Sequence, residues 1–140
     1  MLMQLRLKYP PTVENAPKFA ADIVGSAAEI SGVHLDYSVA SLKLVDDIIE
    51  GLRQDGCTAE QISATLFAFG CYVGEVFVRH ADAHWRSAAE TPMAELSGFP
   101  LVIELGKSSH CNPIGKVFKR LENGEADSLP YFFQMFTTPS

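Results

Sequence analysis

Cysteine is scarce: Cys57, Cys71 and Cys111 are the 3 present, odd in number and never in C-x-x-C spacing. That excludes a disulfide framework and a cysteine-rich zinc site, and it points to a reducing, cytoplasmic setting. Positive charge is also in deficit. Eleven Lys and Arg against 17 Asp and Glu give a formal net charge of −6, which argues against nucleic acid as the partner, since nonspecific affinity for phosphates comes from cationic neutralisation. No apolar run is long enough to cross a bilayer; the best one, 62–74, is short and is followed by Glu75 and Arg79. In the opening MLMQLRLKYPP, Gln4, Arg6 and Lys8 break the apolar core that a secretory leader needs, so export by that route is not expected. Missing too are a glycine-rich phosphate loop, a G-x-S-x-G elbow, H-E-x-x-H, internal repeats and low-complexity stretches.

What is present suffices for one core. Hydrophobic residues make up 47% and charged residues 20%, as in an ordinary single domain, here 1–140. The longest coherent pattern, 58–85, predicts a central helix of about 28 residues, spanning roughly 40 Å, with Gly70, Gly74 and the stretch after His80 as the points of bending or fraying. Thr58 and Gln61 match a capping box. Ile62, Leu66, Phe69, Val73 and Phe77 follow at helical spacing, and Phe67, Tyr72, Val76 and Val78 widen the apolar surface, so the helix should be covered on more than one side. Gly70 and Gly74 share a face where a neighbouring backbone can approach, offsetting the roughly 1 kcal/mol each costs a helix. Glu75 and Arg79 read as an exposed i,i+4 ion pair.

Around this helix the chain reads as α+β, with several amphipathic helices beside a small, mostly antiparallel sheet. Met3, Leu5, Leu7 and Tyr9 alternate with polar residues and predict a short edge strand, ended by Pro10-Pro11. A helix follows over 16–31, capped by Asn15 and stopped by Gly32. Val33, Leu35 and Tyr37 suggest a second extended piece. Ser38 should cap a helix running to about Gly56, burying Val39, Leu42, Val45, Ile49 and Leu52, with Lys43, Asp46, Asp47 and Glu50 facing water. Beyond a loop to Pro100, residues 101–105 and 108–111 predict a hairpin, with a further strand around 85–88. Asn112-Pro113 starts a helix that buries Ile114, Val117, Phe118 and Leu121, places Lys116, Lys119 and Arg120 outside, and stops at Gly124. Ser128 caps a last helix whose Leu129, Phe132, Phe133 and Phe136 must cover this chain's core or a second copy.

Candidate chemistry is sparse. His80 and His84, four apart on one helix, offer two imidazoles to a metal, with His110 and Cys111 as further ligands. Cys111 sits just before a helix start, where free N–H groups would lower a thiol pKa, making it the best nucleophile. Against each stands a plainer reading: surface histidines, and a small structural cysteine.

Taken together, YSVASLKLVDDIIEGL, the FGCYVGEVFVRH helix ending at Trp85, and NPIGKVFKRLENGEADS resemble a type of small bacterial protein whose domain is of unknown function. The resemblance covers roughly residues 37–136. It implies a bacterial, cytoplasmic, single-domain protein and supplies no catalytic residue.

The functional expectation is therefore a noncatalytic binding or regulatory module, without cofactor, recognising a protein or small ligand through Trp85, the loop up to Pro100 and the basic face of Lys116, Lys119 and Arg120. Charge asymmetry supports it. Asp36, Asp46, Asp47, Glu50, Asp55 and Glu60 face only Lys43 and Arg53 in sequence, whereas 107–121 carries Lys107, Lys116, Lys119 and Arg120 and no acid. Such a pattern steers a partner or pairs two copies head to tail as a homodimer, although cancellation within the chain is as natural. The alternative is a metal- or thiol-dependent hydrolase using His80 with His84, or Cys111.

Overall fold

Five segments have an apolar face to bury and form helices. The computed structural model describes residues 7–95, 98–106 and 109–138. Helix α1 (Ala16–Ser31) has the expected bounds and stops at Gly32, which takes a left-handed φ of 66°. Asn15 does not cap it through the side chain; its Nδ2 donates to the Pro10 carbonyl at 3.0 Å instead. Helix α2 (Ser41–Gln54) starts later than expected, because a turn intervenes in which Ser38 Oγ accepts from the Ser41 N–H at 3.1 Å.

Helix α3 (Ser63–His80) is the central helix, shorter at both ends than predicted. The capping box does form, with Thr58 N–H on Gln61 Oε1 at 3.0 Å and Gln61 N–H on Thr58 Oγ1 at 3.3 Å, but it closes a separate turn ahead of the helix. At the other end the chain reverses through Asp82, whose φ is 51°. His84 and Trp85 therefore lie in strand β1 (Ala83–Ser87), not on the helix.

Strands β2 (Leu101–Leu105) and β3 (Ser109–Cys111) complete an antiparallel sheet in the order β1-β2-β3. Trp85 stands opposite Ile103, and Ile103 opposite Cys111; on the other face His84, Glu104 and His110 line up in the same way. Helix α4 (Pro113–Asn123) begins where the Asn112 side chain accepts from the Gly115 N–H at 2.9 Å, and α5 (Leu129–Thr137) where Ser128 accepts from the Tyr131 N–H at 3.4 Å. The architecture is α+β.

Helices α1 and α4 and strand β1 pack on α3, where Phe69, Val73 and Phe77 are buried, while α2 packs on α4 and α5. The last helix docks on its own chain: Phe132 and Phe133 bring their rings to 5.7 and 4.7 Å from Phe77. Two notches in α3 allow the close packing. A Cβ on Gly70 would fall 2.5 Å from the Ile114 Cα in α4, and one on Gly74 would fall 2.1 Å from the Trp85 ring.

Several expectations are corrected. Residues 1–6 of the expected opening strand lie outside the described residues; Leu7 and Tyr9 are not in a strand, and the Tyr9 ring packs edge-on to Phe19 at 5.1 Å. Residues 33–37 are irregular rather than extended, ending at Tyr37 with a left-handed φ of 64°. Glu75 does not pair with Arg79 at the surface. It is buried and accepts from Trp85 Nε1 at 2.9 Å, while the Arg79 guanidinium lies 3.6 Å from the Tyr37 ring centroid. Asp46 and Arg120, both expected on solvated faces, are 4% and 2% exposed. Each is the other's partner, which explains why neither stays outside.

The notches make a paired prediction. Gly70→Ala should destabilise the protein by about 1–3 kcal/mol through overpacking, even though alanine is the better helix former. Gly25→Ala in α1, where an added Cβ meets nothing within 4 Å, should stabilise it by up to about 1 kcal/mol. Urea unfolding of both variants checks this.

Candidate functional site

The positioning of α4 decides what it shows to solvent. Arg120 sends its guanidinium inward: Nε lies 2.9 Å from Asp46 Oδ1, Nη2 3.3 Å from Asp46 Oδ2, and Nη1 2.8 Å from Glu50 Oε1. Burial works against the guanidinium's charge, but its hydrogen bonds to the Asp46 and Glu50 carboxylates outweigh it and hold the pKa above its ordinary value. Asp46 Oδ1 also accepts the Leu129 N–H at 3.0 Å, so one carboxylate of α2 holds both α4 and the start of α5. Among the described residues, no buried side-chain nitrogen or oxygen lacks a hydrogen-bond partner.

With Arg120 inside, Lys116, Lys119 and Glu122 border an open trough of about 530 Å³ between α4, α5 and the loop before β2. Its apolar surface comes from Met93, Phe99, Phe118, Phe132 and Phe136. Phe99 packs on Phe118 with centroids 4.9 Å apart, and Phe132 on Phe136 at 5.2 Å. Phe136 remains 39% exposed. Lys116 Nζ is 2.6 Å from Asp127 Oδ1 and 5.6 Å from the Phe132 centroid. Hydrogen bonds from Lys116 and Asn123 keep the Asp127 carboxyl below its ordinary range. Lys119 and Glu122 are exposed.

At one wall stands His110, whose Nε2 is 3.0 Å from Glu104 Oε2. Glu104 gathers three donors on the outer face of the sheet, adding His84 Nε2 at 2.8 Å and Arg86 Nη1 at 2.8 Å. The His110 hydrogen bond, with the Arg86 charge and the His84 contact, keeps the Glu104 carboxyl below its ordinary value.

The residues singled out in the sequence are thus divided. Lys116 and Lys119 lie at the trough. Arg120 fastens the helix from within, and Trp85 is 7% exposed, its ring in the Gly74 notch. His80 Nε2 contacts the Tyr37 carbonyl at 2.8 Å and His84 contacts Glu104, so the two imidazoles do not share a helix face. Among the described residues no three His, Cys, Asp or Glu side chains are grouped to hold a metal. Cys111 turns into the core, and burial pushes its thiol up to about 12, the reverse of the expected activation.

Glu104 went unrecognised as a site residue; Met93 and Phe99 entered only as part of the loop up to Pro100, and Phe136 only as part of a face that covers the core or a second copy. The only sequence signal for Glu104 is its register between two histidines, which requires the strand pairing to be known.

No family model, no curated protein and no solved structure matches this chain. Among the described residues no helix is long and apolar enough to cross a membrane.

The paired carboxylates predict acid sensitivity. Glu104 and Asp127 titrate in the folded chain below their ordinary values of 4.5 and 3.8, so the unfolded chain takes up protons first. Their stabilisation is complete above the ordinary values and is lost as pH falls through the folded ones. Urea unfolding should show stability dropping as pH falls below about 5, less steeply in Glu104→Gln. Equal slopes in the two proteins would contradict a favourable setting for Glu104.

Proposed function

We propose that the chain is a noncatalytic recognition module of bacterial, cytoplasmic origin, and that the trough between α4, α5 and the loop before β2 receives a segment of a protein partner. The observation that carries the reading is the trough itself, with Phe136 exposed, Met93 and Phe99 half-buried and charged side chains along the border. Apolar patches of this kind, rimmed by polar residues, mark binding surfaces. Its open form suits a helix or strand laid along it better than a small molecule, which a deeper cavity would enclose. The three free cysteines fit a reducing compartment.

The hydrolase alternative has less support. A nucleophile or metal needs groups that converge in a cleft, whereas the Cys111 thiol points into the core and His80 and His84 belong to separate elements.

Photo-crosslinking tests the proposal. A benzoylphenylalanine at position 136 should give discrete protein adducts in cells, and one at the exposed Ile30, which lines a separate groove, should not. Unlabelled wild-type protein should compete with these adducts, and a folded Phe99→Ser variant should not. Identical adducts from both positions, or none from position 136, would remove the trough as a recognition surface.

A further inference from the structure

The border of the trough carries both signs of charge in a self-matching order. Lys119 and Glu122 are three residues apart on α4, so they lie on one side of the helix about 4.5 Å apart along its axis. Both are exposed, both line the trough, and neither has a hydrogen-bonded or ion-paired partner among the described residues. Asp127, the acid that feels the Lys119 charge, is already held by Lys116 and Asn123 at 2.6 and 2.7 Å.

We propose that the protein received by the trough is a second copy of this chain. The two copies pair about a two-fold axis with their α4 helices antiparallel. Lys119 of each copy then meets Glu122 of the other, and Phe136 of each covers the apolar floor of the other. This inference rests on reading the trough as a protein-binding surface.

The argument is one of complementarity. A uniformly acidic segment would be repelled by Glu122 and a uniformly basic one by Lys119, both of which line the trough. A two-fold axis makes residue i meet j while j meets i, so a cation and an anion one turn apart satisfy each other twice. The same operation stacks apolar surface on apolar surface, and Met93 and Phe99 border the trough as adaptable and rigid contacts respectively.

Sedimentation equilibrium over a concentration series tests this with the whole chain. The variants are Lys119→Glu, Glu122→Lys and the double exchange, each checked for folding by circular dichroism. Wild type should dimerise. Either single reversal sets like charges together twice and should weaken association by about tenfold or more, while the double exchange should recover to within about threefold of wild type. An equimolar mixture of the two single variants should associate better than either alone.

A wild type that stays monomeric up to about 1 mM, single variants that dimerise as well as wild type, or a double exchange no better than the singles would each overturn the proposal. Crosslinking at position 136 separates the two readings. Adducts at twice the chain mass support the dimer. Adducts to other proteins from a monomeric wild type overturn it and leave the trough's recognition role standing.

Discussion

The Asp46–Arg120 pair is the constraint on which the arrangement of the helices depends. It joins residues 74 positions apart, and the same carboxylate accepts the first N–H of the last helix. A carboxylate and a guanidinium taken from water carry a large desolvation cost, offset only when geometry is good and the remaining hydrogen-bonding positions are filled. Here they are: Arg120 also reaches Glu50, and Asp46 also takes Leu129. Such a pair adds little net stability over a well-packed apolar replacement, but it permits one roll of α4 and one docking angle of α5. That roll faces Phe118 and Val117 inward and leaves Lys119 and Glu122 at the trough.

The second constraint is steric. Gly70 admits the backbone of α4 at Ile114, and Gly74 admits the Trp85 ring. The sheet and α4 are thereby held against one helix, and Glu75 anchors the indole N–H from the same turn as Gly74. Trp85 is thus a wedge between sheet and helix. Between the two fastenings the loop before β2 seats Phe99 on Phe118. The trough lies in the space between that loop and the docked α5.

What the sequence revealed was local. The bounds of α1, the β2–β3 hairpin, and the starts of α4 and α5 follow from caps, prolines and glycines within a few residues of each boundary. The end of the central helix was only partly legible: fraying was expected after His80, where α3 stops, but the reversal at Asp82 uses neither proline nor glycine and the helical spacing of His80 and His84 continues across it. The buried charges were illegible for another reason. Asp46 and Glu75 read as surface residues from their helical neighbours, and only their distant partners, Arg120 and Trp85, make their burial tolerable. The trough was half visible: Lys116, Lys119 and the loop before Pro100 were singled out, while Phe118 read as plain core and Phe132 and Phe136 as cover for this chain's core or a second copy.

The most direct test of this account is a double-mutant cycle on the buried pair, measured by urea unfolding of Arg120→Met, Asp46→Leu and the double variant. Arg120→Met should lose about 3–5 kcal/mol, because Asp46 is left buried and unpaired. The double variant should be more stable than the sum of the single losses predicts, with a coupling of at least about 2 kcal/mol. Losses that add to within about 0.5 kcal/mol would show that the pair does not hold these helices together.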